Sequence, residues 1–504
     1  MADPSGRPTG SVSGRGIAAI RRLPYKWIVA TVFVFGLFIE LMDTTIVNVA
    51  VPTLERDLHA STAAIEWVIL GYLLSLAVFI PASGWIGDRV GTKKTFLFAL
   101  GIFTLASALC GVATSLGELT AFRVLQGVGG GMLTPIGTAM LFRAFPPIER
   151  AKASTILFIP AVLAPATGPI VGGWLVTHTS WRWIFFVNVP VGILGFVIGL
   201  LFLREHTEPT AGRFDLPGFV LSGAGLALAL YALSQGPEHG WGSLPVLATG
   251  TIGVALLGAL VYVETHIENP LLAFRLFRDR MFRNANLVMV LTFSSFAGLL
   301  FLLPLFLQNL RGLDAFQSGL ATFPQALGVI ATIRIVGRLY HRVGPRRLIV
   351  AGMLGMTAIT ATFMFVTLTT DLWWIRAIMF IRGGFMACAF VPLQAAAYAN
   401  ITPTDTGRAS AIYSAQRQVA AALGVAALAT VWISRTNTIN AGVTNRLALA
   451  DGALSGFHAA FAVATVLVLA AALSGLLVHD TDAAASIQQP VTDSELAPAA
   501  VTID

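Results

Sequence analysis

Long apolar runs, broken by short polar or charged segments, recur along almost the whole chain. About 20 apolar residues span the ~30 Å of a bilayer's hydrocarbon. Runs of that order fall at 27–50, 64–86, 95–114, 117–141, 153–176, 184–203, 217–235, 244–264, 284–307, 316–338, 347–367, 373–398, 409–432 and 456–478. Fourteen membrane-crossing helices are therefore predicted. The first 26 residues are polar and rich in Gly, Ser and Arg, which predicts disorder. The run that follows them is too long for a signal-peptide core and lacks a small-residue cleavage site, so it is expected to stay as the first span.

Composition agrees with a lipid-facing surface. Only 11% of residues are charged and 56% are hydrophobic, against roughly 25% charged in soluble domains. The net charge of +7 does not imply nucleic acid. Its basic residues sit in short clusters between apolar runs and are not gathered on one face. Their placement instead orients the chain. With the N-terminus inside, cytosolic segments hold most of the 32 Lys and Arg, and outer segments only 5. By the positive-inside rule both termini are cytosolic. Cys110 and Cys388 lie singly inside apolar runs, which suits packed thiols and not a disulfide framework or metal site.

The chain also repeats itself. Residues 84–94, GWIGDRVGTKK, align without gaps on residues 337–347, GRLYHRVGPRR. Each copy follows the second helix of a six-helix set. A weaker echo joins Gly127–Pro135 to Gly384–Pro392. Two parallel six-helix repeats with a substrate path between them near the midplane are expected. The predicted organisation is a disordered segment 1–26, a bundle 27–203, two inserted helices with linkers 204–283, a second bundle 284–478, and a cytosolic tail 479–504.

These features resemble the fourteen-helix drug:proton antiporter branch of the major facilitator superfamily, the EmrB/QacA type, from about Phe38 to Phe461. The cytosolic loop motif of that family stands here as Gly84, Asp88, Arg89, Gly91, Lys93 and Lys94. Its first-helix motif reads LMDTTIVNVAVP, with Asp43, Asn48 and Pro52, and its fourth-helix motif is matched by Arg123, Gln126 and Gly127. WRWIFFVNVPVG, LPLFLQNLRG and QRQVAAALGVA are typical of the branch. The antiporter motif of helix five is kept in part: Gly168, Pro169, Gly172 and Gly173 are present, while Thr155 and Ala164 replace glycines. Small residues there permit close helix approach, which Ala and Thr mostly allow. The resemblance implies a major facilitator fold, a monomer in the bacterial inner membrane, no cofactor beyond the proton gradient, and Asp88 bracing the closed cytosolic side. His341 takes the place of that acid in the second loop, so any brace is asymmetric.

No catalytic constellation stands out, and GVGGG at 127–131 lies in a membrane helix, where it serves packing and not phosphate binding. No enzyme activity, metal or P-loop is expected. The informative residues are charges inside spans, which mark functional sites by default. Glu40 and Asp43, three apart, share one face of the first helix. At 1.5 Å per residue they lie ~20 and ~24 Å above Trp27, and Arg123 lies ~9 Å below the outer end of the fourth helix. All three reach the outer half of the membrane, where pairing can occur. Burial disfavours a carboxylate and a nearby guanidinium favours it, so alternating exposure can load and unload a proton. A static ion pair between helices one and four is the competing explanation.

Arg382 and Arg417 are further intramembrane charges, Arg382 a candidate counterpart of Arg123. Arg334 and Arg376 sit near span ends, where long side chains snorkel. Trp67, Tyr72, Gln126, Asn188 and Gln308 are candidates for lining the cavity. A proton-coupled exporter of lipophilic or cationic drugs or secondary metabolites is expected, with a lipid or glycolipid translocator on the same scaffold as the alternative.

Overall fold

The computed structural model describes residues 24–209, 212–441 and 445–483. The expected disordered segment, up to residue 23, and the tail from residue 484 lie outside the described residues. Every predicted run is helical. The first half comprises α1 (Tyr25–Asp57), α2 (Thr62–Val90), α3 (Thr92–Val112), α4 (Leu116–Ala144), α5 (Arg150–His178) and α6 (Asn188–Phe202). Two further helices follow, α7 (Leu216–His239) and α8 (Leu244–His266). The second half comprises α9 (Arg280–Leu305), α10 (Pro324–Val343), α11 (Pro345–Ala361), α12 (Leu372–Ala397), α13 (Thr406–Asn440) and α14 (Arg446–Gly475).

Thirteen of the described helices are long and apolar enough to cross a membrane. The fourteenth, α4, has 29 residues and is long enough, but its glycines, Gln126 and Arg123 dilute its hydropathy. It tolerates this because it is walled in by α1, α2 and α3. A helix that meets protein on most sides does not need a lipid-soluble surface. The Gly-rich run makes the enclosure possible. A Cβ on Gly129 would lie 2.5 Å from the Ala99 carbonyl of α3, and one on Gly131 would lie 2.5 Å from the Leu76 carbonyl of α2.

Several helix starts carry side-chain caps, which satisfy backbone N–H groups that the helix leaves unpaired. The Asp215 carboxylate accepts from Gly218 N at 2.8 Å, Asp279 accepts from Phe282 N at 2.7 Å, and Ser115 accepts from Glu118 N at 3.3 Å. Several bounds differ from the sequence pattern. The sixth run opens in a separate short turn of helix, Trp183–Phe186, and the tenth is split into Ala315–Thr322 and α10 at Pro324. An apolar run does not reveal such breaks, because hydropathy is continuous across them.

The two halves pack alike. In the first, α1 lies on α5, α2 and α3 on α4, and α6 on α1 and α3. In the second, α9 lies on α13, α10 and α11 on α12, and α14 on α9 and α11. The halves meet along two seams, α2 against α13 and α5 against α10 and α12. Helix α7 lies over the first seam and touches both α2 and α13. There Gln235 donates to Glu66 at 3.2 Å, Trp67 stacks on Tyr231, and Trp241 Nε1 donates to Thr430 at 2.9 Å. Helix α8 is peripheral, with Leu244, Val254 and Tyr262 exposed in the manner of lipid-facing side chains.

Candidate functional site

Asp43 lies wholly buried in the first half and is held by three side chains. Arg123 Nη1 donates to its Oδ2 in a short ion pair. Gln126 Nε2 donates to Oδ1 at 2.9 Å, and Asn188 Nδ2 to the same oxygen at 3.0 Å. These donors come from α4 and α6, so the network binds three helices around one carboxylate. Arg123 is one turn from Gln126 on α4, which puts both on the face toward α1. Its guanidinium also donates from Nη1 to Gln126 Oε1 at 2.7 Å and from Nε to the Val68 carbonyl at 3.1 Å. The ring of Tyr72 lies 4.1 Å from its central carbon, an arrangement that favours a cation. Asn188 is oriented by Ser107, which it meets at 3.1 Å and which donates to the Phe185 carbonyl at 2.9 Å.

Such an assembly has a definite energetic character. A buried ion pair contributes little net stability, whereas removing one partner leaves an uncompensated charge and costs about 3–5 kcal/mol.

Glu40, one turn nearer the cytosol, is separate from this network. It is buried and accepts from Thr134 Oγ1 of α4 at 2.6 Å. Arg123 takes Asp43 alone among the two acids. Across the boundary between the halves, Arg417 of α13 lies within electrostatic reach of Glu40 and sits 5.8 Å from the Phe293 ring centre. Among the described residues no carboxylate lies within ion-pair distance of Arg417, which is half-buried.

The cytosolic ends of the halves are locked together. Asp88 Oδ1 accepts from Arg143 Nη2 at 2.7 Å, and Arg143 Nε donates to the Pro403 carbonyl at 3.0 Å. The Asp88 carboxylate faces Gly407 in the first turn of α13, at the positive end of that helix's dipole. Arg150 donates to the Ile401 carbonyl at 3.1 Å, and Phe142 stacks on Tyr398 at 4.2 Å. Asp88→Asn should remove a charged hydrogen bond of about 1.5–3 kcal/mol and so loosen the cytosolic contact between the halves. Spin-label distances across the cytosolic ends of α4 and α13 should lengthen; an unchanged distribution would show that the lock lies elsewhere.

The rest of the loop motif serves local structure. Gly91 has φ +114°, a left-handed conformation that favours glycine. The Glu205 carboxylate accepts from the backbone N of Lys93 at 3.0 Å and of Lys94 at 3.2 Å, capping α3. Asp480 caps α11 in the second half, accepting from Arg346 N at 2.8 Å. Gly84 closes α2 onto the Gly407 carbonyl. Arg89 is exposed, and of the antiporter-motif residues Gly168 and Gly172 back onto α1 at Thr45 and Ile46. Pro169 and Gly173 face the short helix Ala315–Thr322.

The structure gathers Gln126, Asn188 and Tyr72 around Asp43 and Arg123, all five buried. Trp67 stands apart, half-exposed against Tyr231 of α7, and Gln308 is exposed in a π-helical stretch, Phe306–Leu310. Arg382 is buried in the second half, and Arg334 is exposed. Thr134, Ser107 and Arg143 were not legible as participants, since a threonine or serine in an apolar helix carries no spacing signal. Cys110 and Cys388 are free thiols.

Residues 33–425 match the family described as the Major Facilitator Superfamily. The chain is 36% identical over 389 residues to the Multidrug resistance protein B homolog of Mycobacterium tuberculosis strain H37Rv, covering 76% of this chain and 72% of that protein. It is 36% identical over 405 residues to the Putative multidrug resistance protein MdtD of Klebsiella pneumoniae, covering 79% and 84%. Among solved structures, the human organic anion transporter MFSD10 (TETRAN) superposes with a TM-score of 0.64 at 17% identity, covering 91% of this chain and all of that one. A bacterial homolog of the lysosomal transporter Spinster, inward-facing and unoccupied, gives 0.56 at 16% identity, covering 93% of this chain and 99% of the other. At such identities these two speak to the fold alone.

Proposed function

Because the chain belongs to the Major Facilitator Superfamily, we propose that it exports lipophilic or cationic drugs or secondary metabolites across a bacterial cytoplasmic membrane in exchange for protons. Family membership makes it a multi-pass membrane transporter; export, proton coupling and alternating access are our extension. The observation that carries the extension is the Asp43–Arg123 pair, buried between α1 and α4 with no water-facing reason to be charged. An intramembrane acid with a basic partner is the usual signature of a proton relay.

In the cycle we envisage, a proton entering from outside neutralises Asp43 and frees Arg123. The first half then loses the ion pair that ties α1 to α4, and the cytosolic lock at Asp88 opens. Return of the proton to the cytosol restores the pair and recloses the lock. Glu40 lies one turn away, hydrogen-bonded to Thr134 and within electrostatic reach of Arg417, and in this cycle it meets a cationic substrate as its own proton leaves. The names of the bacterial relatives, multidrug resistance proteins, support drugs over lipids as cargo.

Inverted membrane vesicles test the proposal. Ethidium or tetraphenylphosphonium added to energised vesicles should collapse part of an imposed pH gradient. Glu40→Gln should raise the KM for either cation about tenfold, the change worth ~1.4 kcal/mol, and leave a neutral lipophilic substrate unaffected. Movement of labelled lipid between leaflets with no proton flux would refute drug export and favour a lipid translocator.

A further inference from the structure

Among the described residues, two arginines are only 1% exposed, and they stand in corresponding helices of the two halves, Arg123 in α4 and Arg382 in α12. Their surroundings differ in charge. Arg123 has Asp43. Arg382 has only neutral partners: Nη1 donates to Gln325 Oε1 at 2.6 Å and Nε reaches Thr360 Oγ1 at 3.5 Å. Its Nη2 has no hydrogen-bond partner among the described residues.

An arginine cannot escape this predicament by losing its proton, as a buried lysine can. Burial of a charge is tolerated only when something of opposite sign compensates it. The compensation has a place to sit. Arg382 lines a cavity between α9, α10 and α12, together with Gln325, Thr322, Met379, Phe296 and Leu299. The cavity has room for about one water-sized body. None of the lining side chains is acidic. The Gln325 amide nitrogen has only the thioether of Met386 near it, at 3.7 Å, so it is a second donor able to turn toward an occupant.

We propose that this cavity binds one small monovalent inorganic anion of halide size, held by Arg382 Nη2 and the Gln325 amide and walled by apolar side chains. The anion is the counter-charge that no side chain lining this cavity supplies. The occupant completes the fold of α9, α10 and α12 and is independent of the proton pathway in the first half. An apolar wall with two donors selects a weakly hydrated ion, so bromide and chloride should bind and gluconate should not.

Thermal unfolding of the full-length protein in detergent tests this at fixed pH and ionic strength. Sodium bromide replaces sodium gluconate, and sodium acetate serves as the carboxylate control. A ligand that binds only the folded state adds an equal increment to stability for each tenfold rise above its Kd. The wild-type midpoint should climb in that way with bromide, and anomalous scattering should place one bromide beside Arg382. Arg382→Met should lose the increment. Gln325→Glu supplies an internal counter-ion, so it should unfold in gluconate where the wild type unfolds in saturating bromide, and should ignore halide. If Arg382→Met fails to fold, Gln325→Glu decides alone. An undiminished bromide increment in either variant overturns the proposal, as does a flat wild-type response. A response to acetate with none to bromide also overturns it and assigns the site to a carboxylate.

Discussion

Asp43→Asn is expected to abolish transport against a gradient while the protein still reaches the membrane. Asparagine keeps the side-chain size, and its carbonyl can still accept from Gln126 or Asn188, which meet Oδ1 at 2.9 and 3.0 Å. It cannot exchange a proton. It also leaves the Arg123 guanidinium buried without its counter-ion, a loss of about 3–5 kcal/mol when one member of such a pair is removed. Two properties should therefore fall together in the single variant, coupling and stability. Asp43→Asn combined with Arg123→Gln separates them, because a neutral pair of similar volume replaces a buried ion pair at little or no cost. The double variant should recover most of the unfolding temperature and none of the proton flux. Drug-driven collapse of the pH gradient, measured beside tryptophan-monitored unfolding, distinguishes the outcomes. Full-rate coupled transport in a variant carrying both Asp43→Asn and Glu40→Gln would refute the proton-site assignment. Recovery of coupling in the Asp43/Arg123 double variant would leave only a structural tie between α1 and α4.

Gly131→Ala should destabilise the protein although it adds a single methyl. The new Cβ would stand 2.5 Å from the Leu76 carbonyl oxygen and 3.2 Å from that residue's Cα and carbonyl carbon. These are backbone atoms of a neighbouring helix and cannot rotate aside, so α2 and α4 must separate. Overpacking of this kind costs about 1–3 kcal/mol. Gly117→Ala on the same helix is the internal control. Nothing lies within 4 Å of a Cβ there, so the change should be neutral or slightly stabilising, since alanine is favoured over glycine in a helix by roughly 1 kcal/mol. Opposite signs on one helix would tie the GVGGG run to interhelical contact. Equal effects would reduce it to a matter of helix propensity.

Much of the architecture was legible in advance because lipid is an uncompromising solvent. A segment such as 184–203 has to be apolar to cross it, so the spans announce themselves. The repeat at 84–94 and 337–347 was equally open, since loop motifs with fixed Gly and charge positions survive as strings. The breaks within spans were hidden. The turn Trp183–Phe186 before α6 and the split at Pro324 change direction without changing hydropathy. The fourth helix shows the converse, a span whose glycines and Arg123 lower its hydropathy because it is enclosed by protein.

The candidate site divides in the same way. Asp43, Glu40 and Arg123 were visible because a charge inside an apolar run has no neutral explanation. Which acid meets the arginine was not visible, because Glu40 and Asp43 share a face of α1 and lie only one turn apart. The geometry assigns Asp43 to Arg123 and Glu40 to Thr134. Gln126 and Asn188 read as polar lining, and the structure has them as buried donors to Asp43.

The linear order of residues thus determined what must be compensated: span lengths, sidedness, the twofold repeat and the three buried charges of α1 and α4. Folding in three dimensions decided the partners that do the compensating. It paired Asp43 with Arg123, Asp88 with Arg143, and gave Arg382 only neutral hydrogen-bond partners among the described residues. The division has a physical cause. The cost of placing a group in lipid depends on that group by itself, so one residue's identity reveals it. An ion pair or hydrogen bond depends on the distance between two groups, which here are 80 residues apart in the case of Asp43 and Arg123, and only packing sets that distance.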